Sequence, residues 1–441
     1  MIAIDLLSEL KAILNDDQIV VGENRTHPLG NSGKVKVFAK SEEDIQNVLK
    51  FANNEGLKIA VAGGGTKRGF GGITDSADLL LSLEKYKGIV EHTVGDMTIT
   101  VKSGTSFKEL QEYLAAHNQK VSLDPAWPDF SSIGGIIAAN ESGPKRLGYG
   151  SARDVVIGLR MVYPDGTIIR SGGKVVKNVA GYDMNKLFIG SMGTLAVLSE
   201  VTLKLRPLPK YESLVLLSFP DGKIEELRSF VIKLLDSVME PTSLELLSPS
   251  LSKKLTGKHL YTLAISFEDV ESSVHYQENF VKNIQSDQTE LAIFQQKETQ
   301  LFWEAFYKIC PNGAIPSSEE ELEAAVKIGV KNMDVPQVIR ECETLRDSYN
   351  LEISTHGGLG HGLCQVILKG ASEDVVTAIG RLRIFAAQLG GYMVVKHLPL
   401  YLRRKVNVWG DNPSYFALLE GIKLKVDPNR VLNDKRFVGG I

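Results

Sequence analysis

The chain has 441 residues, 50 of them basic and 53 acidic, for a formal charge of −3. That length suggests two or three domains, each able to bury its own core, and the balanced charge excludes a global field that would recruit nucleic acid or an anionic membrane surface. The three cysteines, Cys310, Cys342 and Cys364, match neither a disulfide framework nor the close spacing of zinc or iron–sulfur ligands. They read as buried thiols in a reducing compartment, with no metal site. No window approaches the roughly eighteen consecutive apolar residues that a membrane span requires, and acids inside the first ten residues argue against a signal peptide. The expectation is a soluble cytoplasmic protein with no transmembrane segment.

Residues 1–20 read as an amphipathic helix, with Ile4, Leu7, Leu10, Ala12 and Leu14 near helical spacing. A turn-prone link from Gly22 to Gly33 precedes an alternating strand, Val35 to Ala39. Ser41-Glu42-Glu43-Asp44 then has the form of a helix cap with acids in the first turn, and the helix it opens stops near Gly56. A second strand, Lys58 to Ala62, feeds straight into Gly63-Gly64-Gly65-Thr66-Lys67-Arg68-Gly69-Phe70-Gly71-Gly72. That order places successive backbone N–H groups, a hydroxyl and two cations at the carboxyl end of a strand, where a pyrophosphate fits. It is neither a Walker loop nor the dinucleotide fingerprint that opens a helix.

Short strands at 78–82, 88–92 and 97–101 and a helix from Ser106 to His117 follow. Then comes Asp124-Pro125-Ala126-Trp127-Pro128 and Ser132-Ile133-Gly134-Gly135, running on to Asn140-Glu141-Ser142-Gly143-Pro144. Twelve of the 41 glycines lie between Gly134 and Gly193, where a structural segment would carry larger side chains. Two glycine clusters within one domain favour a dinucleotide over self-packed loops. A hairpin across Pro164-Asp165-Gly166, the stretch Lys177 to Asp183, and a strand from Leu195 to Leu205 complete this part.

Residues 212–297 and 323–398 each read as strand, helix, strand, strand, helix, strand. This is a repeat of the ferredoxin-like unit, which predicts a large antiparallel sheet with helices on one face. A last helix, Pro413 to Lys425, leads to Asp427-Pro428-Asn429-Arg430-Val431-Leu432-Asn433 and Arg436-Phe437.

The two glycine clusters, Lys177-Asn178-Val179-Ala180-Gly181-Tyr182-Asp183, Gly190-Ser191-Met192-Gly193-Thr194-Leu195, Val408-Trp409-Gly410 and the Asp427 to Asn433 segment stand in one order over nearly the whole chain. The combination resembles the FAD-linked oxidases of the vanillyl-alcohol oxidase and p-cresol methylhydroxylase type, and within them the FAD-binding subunits of bacterial glycolate oxidases. The resemblance implies an α+β chain. Residues 1–29 would form an N-terminal helix and link, and 30–207 an FAD-binding domain with a small parallel βαβ part and an antiparallel part. Residues 208–410 would be a substrate domain of two ferredoxin-like repeats, and 411–441 a helix and tail returning to the flavin. Gly63, Gly64, Gly65, Thr66 and Lys67 would cradle the pyrophosphate, and Gly134, Gly135, Asn140, Ser142 and Gly143 would lie along pyrophosphate and isoalloxazine. Gly193, Thr194 and Val197 would sit near the adenine or ribitol end. Relatives that attach FAD covalently use a histidine in the first loop, and Gly63 to Gly72 contains none, so noncovalent FAD is expected.

Related 2-hydroxyacid dehydrogenases carry a glycine-rich segment with Asp, Asn and a second His, and later Gly-Glu-His. Here the matching stretches have Leu359 for the Asp and Lys396 for the Glu, which weakens a transfer of metal-dependent proton abstraction. Oxidising a small 2-hydroxyacid needs a cation for the carboxylate and a base for the hydroxyl proton. His397, His356 and His361 are the candidates for the base, and Lys396, Arg403, Arg404 or Arg436 for the cation. Asn433 and Arg436 join the catalytic set through the C-terminal motif, although Arg403-Arg404-Lys405 also reads as a solvated helix face. Two readings stay open: an oxidoreductase for glycolate or lactate that passes electrons to a partner, and a non-catalytic FAD-binding scaffold in a glycolate oxidase complex. The resemblance implies a second FAD subunit and an iron–sulfur subunit as partners, through which the chain would sit peripheral to a membrane.

Overall fold

The structure is a computed structural model that describes residues 4–21, 27–174, 182–220, 222–315 and 322–441. Three sheets carry it. The first is built on the helix that the Ser41 cap opens: Ser41 Oγ accepts the Asp44 N–H, Asp44 reaches back, and Gly56 closes the helix at φ 68°. Ile45, Val48, Leu49 and Ala52 face inward onto the parallel strands Ser32–Phe38, Ser76–Ser82 and Ile59–Ala62, with Ile19–Val21 antiparallel at the edge. The N-terminal helix is shorter than its periodicity suggests, Ile4–Ile13, because Asp16–Gln18 tightens into a 3₁₀ turn before that edge strand.

A five-stranded antiparallel sheet follows, in the order Ile89–Thr93, Thr98–Lys102, Val197–Lys204, Val156–Val162, Ile168–Gly172. The helices Phe107–Ala115 and Ile133–Ala139 share its core. The Lys177 to Gly181 part of the sequence motif lies outside the described residues.

The third sheet has eight antiparallel strands, in the order Glu290–Gln295, Tyr211–Phe219, Tyr261–Asp269, Ser243–Leu247, Leu351–Gly358, Leu363–Gly370, Leu322–Gly329, Tyr392–His397. Each half has the strand order of a ferredoxin-like unit, and the halves join where Ser243–Leu247 pairs with Leu351–Gly358. Four helices cover one face, Ile224–Leu235, Glu271–Ile284, Val335–Ser348 and Ser372–Gln388, over a continuous core. On the opposite face the first half is covered by Pro249–Thr256 and Lys297–Phe306, through Phe302, Trp303 and Phe306. The second half turns that face toward the glycine-rich loops. Among the described residues no helix is long and apolar enough to cross a membrane.

After the third sheet the chain returns to the first. Leu432 bridges Ile59 in parallel, the Ile59 N–H donates to Val431 O at 2.8 Å, and the Asn433 N–H donates to Ile59 O at 2.9 Å. The helix Phe416–Val426 is anchored by Lys423, fully buried, which meets Asp427 at 2.6 Å and donates to Thr194 O and Leu432 O at 2.7 and 3.1 Å. Asp427 in turn accepts the Val431 and Leu432 N–H groups. Removing one partner of such a pair strands the other charge in a dry site. Lys423→Met is therefore expected to lower the unfolding free energy by about 3–5 kcal/mol in urea titrations, while Lys425→Met, on the exposed side of the same helix, changes it by less than about 0.5 kcal/mol.

Candidate functional site

The strand Ile59–Ala62 ends at the first glycine loop, and the reason for its glycines is close approach of a second loop. A Cβ on Gly64 would lie 1.6 Å from Phe130 O, and one on Gly63 would lie 1.9 Å from Ser132 Oγ. Loops so packed form one wall of a cleft lined by Gly63 to Arg68, Ser131, Ser132, Gly134, Gly135, Gly193, Val197, Asn433 and Arg436, with Val61, Leu83, Ala196 and Leu198 as its apolar part. Among the described residues, the amide N–H groups of Gly64, Gly65, Thr66 and Lys67 have no protein acceptor, and Ser103 Oγ in the wall is buried without a partner. Free amide donors around an elongated, partly apolar groove fit a molecule with a pyrophosphate and flat rings, as FAD has.

The structure places three of the predicted residues around this cleft in supporting roles. Asn433, at φ 43°, accepts the Val61 N–H and donates to Met192 O and Gly193 O, tying the strand to the Gly193 loop. Arg436 donates to Phe70 O and Lys67 O across the glycine loop. Burial lowers its guanidinium to about 10. Thr194 stands behind the wall, its hydroxyl donating to Ser191 O.

Asn140, Ser142 and Gly143 line a second cleft, joined to the first through the Lys67–Glu141 contact, whose other wall is a face of the eight-stranded sheet. Asp124 holds this loop from beneath, accepting the Gly143 and Lys145 N–H groups at 2.7 Å each. Burial raises its carboxyl to about 7. The facing wall follows from register. His356 opposes Gln365, and Gln365 opposes Lys327; these side chains share one face because their neighbours Thr355, Cys364, Val326 and Ile328 are turned to the buried side. Glu245 sits diagonally across from His356, and the two meet at 2.6 Å. His361 completes the wall, its Nδ1 accepting the Leu363 N–H. Burial lowers its imidazole below the usual range.

Between the clefts lies Glu141, whose carboxylate meets Lys67 at 3.1 Å and Lys396 at 2.7 Å. Burial opposes its ionisation, but the two ammonium groups prevail and hold it well below the usual carboxylate range. Lys396, which stands where a Glu was expected to be lost, thus keeps a carboxylate partner from another layer.

The structure brings His356 and His361 together but not His397. The strand Tyr392–His397 has a bulge at Lys396, where the partner of Val326 is Val395 and the partner of Ala325 is His397. A bulge re-aims the residues beside it. It turns Lys396 to Glu141 and sets the buried His397 ring against Gly69, where a Cβ would lie 2.6 Å from Nδ1. Burial lowers this imidazole to about 4.

The cations proposed from sequence are also engaged elsewhere. Arg403 is buried and not on a solvated face, since its guanidinium donates to the carbonyls of Gly71 and Leu29. Arg404 pairs with Asp75 at 2.6 Å. In the second cleft, the cations without a carboxylate partner among the described residues are two that sequence reasoning passed over, Lys327 and Arg146. Lys327 has no ion-pair or hydrogen-bond partner among the described residues, and burial lowers it to about 8. Among the described residues the Arg146 guanidinium donates to Ser142 Oγ, at 3.1 Å, and pairs with no carboxylate. A lysine alone among apolar residues in Ala324-Ala325-Val326-Lys327-Ile328 was the available signal for the first. Among the described residues no group of three His, Cys, Asp or Glu side chains is arranged to hold a metal ion.

Comparison with known proteins accords with this geometry. Residues 34–172 match the family model of an FAD binding domain. A mitochondrial D-lactate dehydrogenase (cytochrome) of Arabidopsis thaliana is 30% identical over 297 residues, 64% of this chain and 52% of that protein, so the chain spans about half its length. Glycolate oxidase subunit GlcD of Bacillus subtilis is 25% identical over 448 residues, 95% of this chain and 92% of that protein. Among solved structures, p-cresol methylhydroxylase with substrate bound superposes with a TM-score of 0.71 at 15% identity, covering 98% of this chain and 96% of that one. Residues 34–172 thus carry an FAD binding domain, and the chain as a whole has the fold of p-cresol methylhydroxylase.

Proposed function

We propose that the chain binds FAD noncovalently along the first cleft and oxidises a small 2-hydroxyacid of the glycolate or lactate class in the second. The observation that carries this reading is the pair of cations without a carboxylate partner among the described residues, Lys327 and Arg146, in a cleft that also holds two histidines and adjoins the cofactor groove. The other ionisable groups there are bound to one another: Glu141 to Lys67 and Lys396, with two ammonium groups for one carboxylate, and Glu245 to the His356 ring. A carboxylate is the ligand that settles the remaining positive charge, with Lys327 as a point charge and Arg146 offering paired N–H groups. Bound FAD supplies a two-electron acceptor for the hydride on the carbon that bears the hydroxyl. The protein's task is to hold that carbon at the junction of the two clefts and to take the hydroxyl proton on an imidazole. The relatives named for D-lactate dehydrogenation and glycolate oxidation support the substrate class. Electrons would pass onward to partner subunits, a second FAD chain and an iron–sulfur chain.

One observation favours the scaffold reading: the ammonium of Lys396, locked to Glu141, stands where related dehydrogenases place a carboxylate. An anaerobic spectrum separates the two. Protein reconstituted with FAD should show flavin bands that bleach with glycolate or D-lactate; bands that persist with every hydroxyacid would make the chain a flavin-holding subunit, and absence of bands after reconstitution would sink both readings.

The lowered value of Lys327 adds a pH signature. A lysine whose proton is held less tightly loses its charge as pH rises through about 8, so KM for the hydroxyacid should be low below that pH and climb above it. Lys327→Met should raise KM about 10- to 100-fold at pH 7, the worth of a charge-assisted hydrogen bond, and flatten its rise above pH 8, as read by stopped-flow flavin reduction.

A further inference from the structure

The two histidines of the second cleft are held in opposite ways. His356 Nδ1 lies 2.6 Å from Glu245 Oε1, a carboxylate almost wholly buried in the sheet. A carboxylate accepts, so Nδ1 carries the hydrogen and the lone pair of the neutral ring is on Nε2. His361 Nδ1 instead accepts the Leu363 backbone N–H at 3.2 Å, which puts the hydrogen on Nε2. That Nε2, and the second oxygen of Glu245, are buried without any partner among the described residues. A buried N–H and a buried carboxylate oxygen left open in one cleft await a polar group from outside the protein.

The arrangement is fixed by the backbone rather than by side-chain choice. Glu245 opposes Gly358 across the seam between the two ferredoxin-like halves, and His356 stands two residues before it on the same face. The His361 ring folds back over Gly358, where a Cβ would meet its Cε1 at 2.1 Å. The Phe306 ring closes the other side of His356, with centroids 4.7 Å apart and planes at 61°. Neither ring can exchange its tautomer without a mismatch: a lone pair on His356 Nδ1 would face the Glu245 carboxylate oxygen, and a hydrogen on His361 Nδ1 would face the Leu363 N–H.

We infer that Glu245 is a positioning residue that makes His356 Nε2 the proton acceptor of the reaction, while His361 Nε2–H is a hydrogen-bond donor to the substrate. This rests on the 2-hydroxyacid reading of the same cleft. The substrate O–H bond breaks with its proton going to His356 Nε2, and the C–H bond on the same carbon breaks with its electron pair leaving as hydride to the bound FAD, so that a 2-oxoacid results. His361 donates to the oxygen that becomes the carbonyl or to the neighbouring carboxylate.

The test uses FAD-loaded full-length protein. In long-range 1H–15N spectra of 15N-histidine-labelled protein, the ring lost in His356→Ala is expected to be protonated on Nδ1 and the ring lost in His361→Ala on Nε2. In Glu245→Gln, whose amide can turn an N–H toward Nδ1, flavin reduction by the best 2-hydroxyacid should slow about 10²- to 10⁴-fold, with KM within about 2-fold and flavin content unchanged. Reduction within about 3-fold of the parent in that variant, or a hydrogen on His356 Nε2 in the parent, overturns the inference alone. A parent protein that no 2-hydroxyacid reduces overturns the substrate reading and the catalytic role together, whatever tautomers the spectra show.

Discussion

Everything at the junction of the two clefts depends on one carboxylate held between layers. Glu141 sits at the end of the Gly134 helix and loop, Lys67 at the end of the first glycine loop, and Lys396 on the last strand of the large sheet. Each comes from a different sheet's neighbourhood, so the triad sets the distance between the cofactor groove and the sheet face opposite. A second lock does the same further out, where Glu268 of the large sheet meets Lys120 and Lys145, with the Tyr149 hydroxyl donating to it at 2.6 Å. The two ammonium groups hold Glu268 at about 2 against the opposing effect of burial. Pairs buried this deeply add little net stability over apolar packing, but breaking one is costly. Their effect is to make a single placement of the layers much better than its neighbours.

Given that placement, strand register decides which side chains reach the second cleft. The seam between the ferredoxin-like halves sets Glu245 beside His356, and the row His356, Gln365, Lys327 crosses three strands at one level. One extra residue on the outer strand shifts the pattern, sending Lys396 to the triad and His397 to the glycine loop. A slip of one residue anywhere in this row would exchange the polar wall for core side chains. The site is a property of the sheet, and helices packed on its other face keep the register rigid.

The cofactor groove has a different origin. Its walls are loops whose glycines let backbone meet backbone, as Gly64 meets Phe130 O, and whose ends are tied by side chains from the C-terminal tail. Asn433, Arg436 and the Lys423–Asp427 pair all serve that purpose. The groove is thereby preorganised, its loop amides lacking a protein acceptor among the described residues, so a bound dinucleotide would order little of the protein on arrival.

Local chemistry was legible in the chain. The Ser41 cap and Gly56 stop, the strand leading into Gly63, the Pro164-Asp165-Gly166 turn and the twofold ferredoxin-like pattern all follow from short-range preferences that the sequence carries openly. The cofactor class was equally readable, because glycine clusters at strand ends have few other uses. What the chain could not reveal is where each side chain points once strands from distant segments are paired. Arg403 read as solvated but is buried among carbonyls 332 and 374 residues away in sequence, and His397 read as central until a bulge turned it aside. Lys327, Arg146 and Glu245 carry no motif and come together in one cleft only through the tertiary fold. The sequence by itself determined the elements, which rest on contacts between near neighbours, and marked the groove for FAD through the glycine clusters that line it. The tertiary structure alone decided the charged wall facing that groove, because the seam that sets Glu245 beside His356 pairs segments more than a hundred residues apart and the bulge is set by pairing with a strand distant in sequence.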